Sequence, residues 1–164
     1  MPVVNINLPV PRHQLRRLHG LNERHEVELS SLSLERLDVL FGNAFVAATI
    51  DDGDALLLAF DEMSDYDSPN FLWFRERFER FAYVDRVVVS ESRRGEGLAR
   101  HLYEHLFALA AAAGHERVVC EVNFDPPNPA SDAFHDRLGF VEVGRTVLSN
   151  GKGVRYLETT QLGI

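Results

Sequence analysis

Apolar residues along the chain fall in short blocks set apart by polar turns, and the spacing inside each block separates helices from strands. Pro9 and Pro11 lead into a stretch from Arg12 to Arg24 with helical periodicity. Ser33 has the residue type and position of an N-cap for a second short helix carrying Arg36, Leu37 and Leu40. Two continuous apolar runs, Ala44–Ile50 and Ala55–Phe60, flank Asp51-Asp52-Gly53-Asp54, which predicts a strand, a tight turn and a strand. A polar segment, Asp61–Asn70, precedes the aromatic stretch Phe71-Leu72-Trp73-Phe74, and Tyr83–Val89 is short and β-branched, as a buried strand is. Leu98, Leu102, Leu106, Leu109 and Ala113 then recur at helical spacing, with Gly114 where a C-terminal cap belongs. Arg117–Asn123 predicts a strand, Ser131–Leu138 a helix, and Phe140–Val147 with Val154–Thr160 a closing hairpin. The order implies a mixed α/β (α+β) chain with one sheet and helices packed on it.

Composition narrows this. A length of 164 residues, 45% apolar and 26% charged, suits a single globular domain spanning 1–164. The lone cysteine, Cys120, excludes an intramolecular disulfide. Met1–Arg17 lacks the apolar core of a signal peptide, and no apolar run reaches the roughly 18 residues of a membrane span. The expectation is therefore a cytoplasmic protein with no membrane partner. Seventeen Lys and Arg against 25 Asp and Glu give a net charge of −8, which argues against nucleic acid and suits small cationic ligands. A homodimer stays open.

The stretch that carries chemistry is Val87-Val88-Val89-Ser90-Glu91-Ser92-Arg93-Arg94-Gly95-Glu96-Gly97-Leu98-Ala99. A strand ends, a glycine- and arginine-rich turn follows, and a long helix begins at once. The first amides of a helix have no intrahelical partners and sit at the positive end of its dipole, while Gly95 and Gly97 remove side chains that would hold an anion away. This is a phosphate cradle. Walker A is absent, and Arg100 stands where a dinucleotide fingerprint requires its third glycine or alanine.

Arg94-x-x-Gly97-x-Ala99 after the valine strand resembles the coenzyme A motif of the GNAT N-acetyltransferase superfamily. The similarity continues through Glu121-Val122, Asn128, Phe134-His135 and Gly139-Phe140, and it covers roughly Tyr83 to the C-terminus. It implies a mostly antiparallel central sheet flanked by helices and splayed between the fourth and fifth strands. It also implies acetyl or similar acyl transfer from acetyl-CoA to a small-molecule amine or a peptide, by direct attack in a ternary complex and without a metal. By position, the amides of Val87, Val88 and Val89 would meet the pantetheine arm and the thioester carbonyl, and those of Gly95, Glu96, Gly97, Leu98, Ala99 and Arg100 the pyrophosphate, with Arg94 of the motif also at the cofactor.

Acyl transfer to an amine needs a proton acceptor, because an alkyl ammonium with a pKa of roughly 10.4 is neutral only about once in a few thousand molecules at pH 7. Glu121 matches the family position that supplies such a base, although the loop from it to Asn128 is about two residues longer than the common spacing. Its other reading is a strand carboxylate paired with an arginine. Tyr83 stands where other family members carry a catalytic glutamate, and Asp85 is the nearest carboxylate, two residues on. His135 replaces the tyrosine that many members use as thiol acid, against the ordinary reading of a structural histidine. Asn128 either caps a helix or touches the cofactor arm, and capping is favoured by position. Asp65, Tyr66, Asp67 and Trp73 mix carboxylates with aromatics and are expected to help bind a cationic acceptor, against the reading of a solvated loop before a core helix.

Two rivals remain. His101-Leu102-Tyr103-Glu104-His105 fits the His-x-x-Glu-His metallopeptidase pattern, inside the helix that the glycine turn already explains. A coenzyme A-binding sensor or scaffold without turnover would keep the cradle and lack the acid and base.

Overall fold

Seven strands build one sheet in the computed structural model, which describes residues 2–25 and 29–163. They are β1 (Val3–Asn5), β2 (Val46–Ile50), β3 (Ala55–Asp61), β4 (Ala82–Val89), β5 (Val118–Asp125), β6 (Val141–Val147) and β7 (Gly153–Thr159), in the spatial order β1-β2-β3-β4-β5-β7-β6. Every neighbouring pair is antiparallel except β4 and β5, which are parallel. The helices are α1 (Arg12–Glu23), α2 (Leu34–Asn43), α3 (Pro69–Arg75), α4 (Leu98–Ala112) and α5 (Pro129–Arg137).

Local chemistry accounts for the boundaries. Ser33 Oγ accepts the Arg36 N–H at 3.0 Å to start α2, and Ser68 Oγ accepts that of Phe71 at 3.2 Å to start α3 with Pro69 in the first turn. The β2–β3 turn differs from the Asp-Gly turn the sequence predicts. Asp51 and Asp52 themselves take the left-handed conformation (φ 48° and 54°), ahead of Gly53. Aspartate tolerates that region better than most residues, and Arg17 of α1 donates to the carbonyls of both. One further element, β1, three residues long on the sheet edge, escapes the pattern, whereas α3 is the core helix of the other reading of the aromatic stretch.

Two apolar layers cover the sheet. Leu98, Leu102 and Leu106 of α4 pack on Leu57, Val84, Val118 and Cys120 on one face. Leu18 and Leu21 of α1, Leu37 and Phe41 of α2, and Phe71 and Phe74 of α3 pack on Leu58, Phe60, Tyr83 and Val119 on the other. Burial of this apolar area is the main stabilising term.

Two irregularities shape the centre. β4 and β5 pair only at Ala82↔Val118 and Tyr83↔Val119, so the remainder of the two strands diverges and opens a gap in the sheet. β4 also bulges: Leu58 pairs with Arg86 and Ala59 with Val84, leaving Asp85 as the extra residue.

Candidate active site at the splay of the sheet

The gap between β4 and β5 opens into a cleft of about 800 Å³. Its walls come from both strands, from Asn70 and Trp73 of α3, from Leu29 and Ser30 before α2, from Asn128, Ser131 and His135 around α5, and from the turn joining β6 to β7. A shallower hollow at Ala111 and Thr160–Gly163 has no acid or base in its lining.

Glu121 projects from β5 into the cleft on the same face as Val119, as strand alternation requires. Its carboxylate accepts the Tyr83 hydroxyl at 2.7 and 3.1 Å and the Asn70 amide at 2.9 Å. Asn70 Oδ1 accepts the hydroxyl of Tyr156 at 2.8 Å, and Tyr156 lies directly across the β5–β7 ladder from Glu121. The chain of bonds fixes the carboxylate. Burial, with Asp85 adding to it and the Tyr83 bond opposing it, raises the Glu121 pKa from the ordinary 4.5 to about 7. Such a group exchanges a proton near neutrality, and no arginine pairs with it within hydrogen-bonding distance among the described residues.

Tyr83 is fully enclosed, and burial first and Glu121 second push its phenol well above its usual range. It is a proton donor to the carboxylate and cannot itself serve as a base. Asp85 is committed elsewhere. Its two oxygens accept the Tyr66 hydroxyl at 2.6 Å and Arg86 Nε at 2.9 Å in a buried ion pair, and Arg86 reaches on to Asn22 Oδ1 at 2.9 Å. The bulge that exposes Asp85 to Tyr66 also anchors β4 to α1.

His135 Nδ1 lies 2.8 Å from the Ser131 carbonyl, which can only accept, so the ring proton sits there. Nε2 is then the acceptor for the Tyr103 hydroxyl at 2.7 Å. Burial pushes the His135 pKa down, which disfavours the protonated form that a thiol acid needs and agrees with the structural reading of this histidine. Burial likewise holds the Cys120 thiol in its protonated, unreactive form.

The glycine turn stands beside the cleft and is open. Gly95 and Gly97 have φ values of 85° and 78°, and a Cβ on either would meet nothing within 4 Å. The first intrahelical bond of α4 runs from His101 N–H to Gly97 C=O, leaving the amides of Leu98, Ala99 and Arg100 ahead of it. Arg93 ties the turn to the β2–β3 turn through Asp51 and Asp54 and to Glu96. On β4, the Ser90 N–H is taken by Asp54 C=O at 2.9 Å on the β3 side. Alternation therefore sends the Val88 amide to the β3 ladder and those of Val87 and Val89 towards the gap. The expectation that all three valine amides face a ligand is corrected to two. Asn128 caps α5, its Oδ1 accepting the Ser131 N–H at 3.2 Å, and it also borders the cleft.

The acidic segment is corrected too. Asp65 and Asp67 are exposed and line no part of the cleft, while Tyr66 and Trp73 do. Trp73 stacks on Tyr156 at 4.1 Å and carries the Arg77 guanidinium at 3.9 Å. Two groups cannot share one ring face at those distances, so both faces of the indole are covered and none is left for a cation. The metallopeptidase pattern dissolves as well. Glu104 pairs with Arg100, His105 bonds Asn5, and the group of metal-ligand type among the described residues contains neither His101 nor His105. Sequence reading missed Asn70, Tyr103 and Tyr156, whose partners lie on other elements and leave no local signal.

The chain belongs to the GNAT acetyltransferase family, whose model matches residues 41–140. Comparison of the sequence with curated proteins returns no match. Solved structures agree in fold across nearly the whole chain. An aminoglycoside 6'-N-acetyltransferase complexed with coenzyme A is similar with a TM-score of 0.73 at 15% identity, over 98% of this chain and 97% of that one. The NatC complex bound to Gag peptide and CoA gives 0.71 at 14%, over 98% and 99%. A spermidine N-acetyltransferase from Vibrio cholerae gives 0.68 at 18%, over 98% and 93%. Among the described residues no helix is long and apolar enough to cross a membrane.

Proposed function

We propose that this chain transfers an acetyl group from acetyl-CoA to a primary amine, with Glu121 as the general base. The observation that carries the reading is the Glu121 carboxylate, held by Tyr83 and Asn70 at the mouth of the β4–β5 gap with a pKa raised to about 7. A carboxylate of ordinary pKa is a poor acceptor for an ammonium proton, and one near 7 is matched to the task at neutral pH.

The residues fit the co-substrate. The open glycines and leading amides of α4 suit a pyrophosphate, and the unpaired β4 edge at Val87 and Val89 suits the amide groups of a pantetheine arm. Acetyl-CoA supplies the activated acetyl group. Glu121, directly or through one water, takes the proton that the ammonium must lose before attack; the N–C bond forms as the C–S bond breaks, and the nitrogen gives up its second proton to solvent. The sulfur leaves with a proton from solvent; with a thiol pKa of roughly 8.5 it needs no strong acid. A neutral His135 is consistent with that. The related folds named above carry names and ligands that span an aminoglycoside, a peptide and spermidine, which supports an amine as the common acceptor chemistry. We read the chain as one domain acting in the cytoplasm.

The test is thiol release from acetyl-CoA over a panel of amines, amino acids and peptides, with the wild type and Glu121→Gln. Turnover that depends on the amine and collapses in the variant supports the reading. Tight coenzyme A binding with no turnover on any acceptor would instead make the protein a sensor.

A further inference from the structure

Away from the cleft, at the base of the splay where β4 and β5 are still paired, Asp61, Glu62 and His115 converge. Asp61 ends β3, Glu62 follows it, and His115 follows the Gly114 cap of α4. One ligand atom from each lies within 4.8 Å of the others, and none of the three lines the cleft. His115 is 4% exposed, and its Nδ1 is buried without a hydrogen-bond partner. Nε2 faces Asp61 Oδ2 at 3.5 Å and Nδ1 faces Glu62 Oε1 at 3.5 Å, too long for good hydrogen bonds. A tetrahedral shell with bonds of about 2.1 Å sets its donor atoms roughly 3.4 Å apart.

We propose that these three residues bind one divalent transition-metal ion of the zinc type. The arrangement is built rather than accidental. The backbone N–H of His115 donates to the Ala110 carbonyl at 2.9 Å, and the Phe45 ring meets the imidazole in a T-shaped contact with centroids 5.0 Å apart. Asp61 Oδ1 accepts the Met63 N–H at 3.0 Å, and Glu62 Oε1 accepts the Phe81 N–H at 3.1 Å. Two largely buried carboxylates against a single imidazole carry more negative charge than one ring can offset, and they stand next to the negative end of the α4 dipole. Arg80 is spent on the Ala113 and Gly114 carbonyls of that helix end. One nitrogen and two carboxylate oxygens suit zinc, cobalt or nickel better than calcium or magnesium, which take oxygen-only sets. The ion would tie the end of β3, the start of β4 through Phe81, and the entry to β5, fixing the hinge of the splay without touching the reacting groups.

The experiment uses tag-free full-length protein stripped with EDTA and titrated with zinc chloride by calorimetry, with Tm followed in parallel. One equivalent binds, and at a hundredfold excess over Kd the Tm rises by about 5–10 °C. His115→Gln and Glu62→Gln each weaken binding at least tenfold while metal-free circular dichroism is unchanged. His101→Ala/His105→Ala leaves the tight site intact. No saturable binding, or binding that survives His115→Gln and vanishes with His101 and His105, overturns the proposal. So does a nitrogen-15 spectrum in which both His115 ring nitrogens stay protonated with zinc present, which would make the cluster an imidazolium clamp.

Discussion

Replacing Glu121 with Gln should make the enzyme slower and, above neutral pH, more stable. The substitution keeps the shape. Glu121 Oε1 accepts from both Asn70 and Tyr83, and a Gln carbonyl placed there accepts the same two bonds. What is lost is the basic group, so kcat should fall by about 10²–10⁴-fold. The stability effect follows from linkage. The folded carboxyl titrates at about 7 and the unfolded one near 4.5, so between those values the folded state holds a proton that the unfolded state has released. Stability from this group is therefore present below 4.5 and is lost as pH rises to about 7. At roughly 1.4 kcal/mol per pH unit, the loss reaches about 3 kcal/mol at pH 8.

Gln carries no such penalty. At pH 8 the variant should melt higher by up to about 6–12 °C, taking 2–4 °C per kcal/mol for a chain of this size. At pH 4.5 the two proteins should melt together. Calorimetric scans across pH 4.5–8.5, with thiol release measured on the same samples, read both effects. Wild-type kcat/KM should climb to a plateau with an apparent pKa near 7, and the variant should lack that limb. A variant with normal turnover removes Glu121 as the base. A variant that melts lower at pH 8 by as much as at pH 4.5 shows that burial does not penalise the charged carboxylate, and the mechanism loses its support.

Gly97→Glu should abolish coenzyme A binding by calorimetry, since it puts a carboxylate where phosphate must approach and forces a non-glycine residue to φ 78°, costing roughly 1–2 kcal/mol of stability; retained affinity would remove the cradle from the site. Asp65→Asn/Asp67→Asn should leave the KM for amine and acetyl-CoA unchanged, because both side chains point to solvent, and a raised amine KM would restore the acidic segment to the acceptor site. Tyr103→Phe leaves His135 Nε2 buried and unpaired, so chemical denaturation should show a loss of about 1–3 kcal/mol.

Much of the fold was legible because its signals are local. The Asn128 and Ser33 caps, the glycine after α4 and the β-branched run of β4 each declare themselves within a few residues. The unread parts are those whose cause lies elsewhere. β1 is a strand because its three residues pair with β2, and the seat of α3 is set by ring contacts with Tyr83 of β4, Phe81 just before it and Tyr156 of β7. The register of the turn after β2 depends on Arg17, more than thirty residues upstream.

The site divides along the same line. The glycine turn could be read because its chemistry is backbone chemistry, and amides at a helix start need only the right neighbours in sequence. Glu121 could be named as a candidate but not as a tuned base, because its pKa is set by burial, by Tyr83 on a parallel neighbour strand and by Asn70 on a helix 51 residues earlier. The bulge at Asp85 shows the limit most clearly. Period-2 reading of β4 puts Tyr83, Asp85 and Val87 on one face, which would give two candidate acids side by side in the cleft. One extra residue breaks that period, sends Arg86 to the α1 face with Asn22, and locks Asp85 into an ion pair. The same extra residue shifts the phase of everything after it, so that the amides of Val87 and Val89, and not that of Val88, face the gap. A single insertion in a ladder thus decides which carboxylate is free to act and which amides can hold a ligand, and neither outcome is written in the residues themselves.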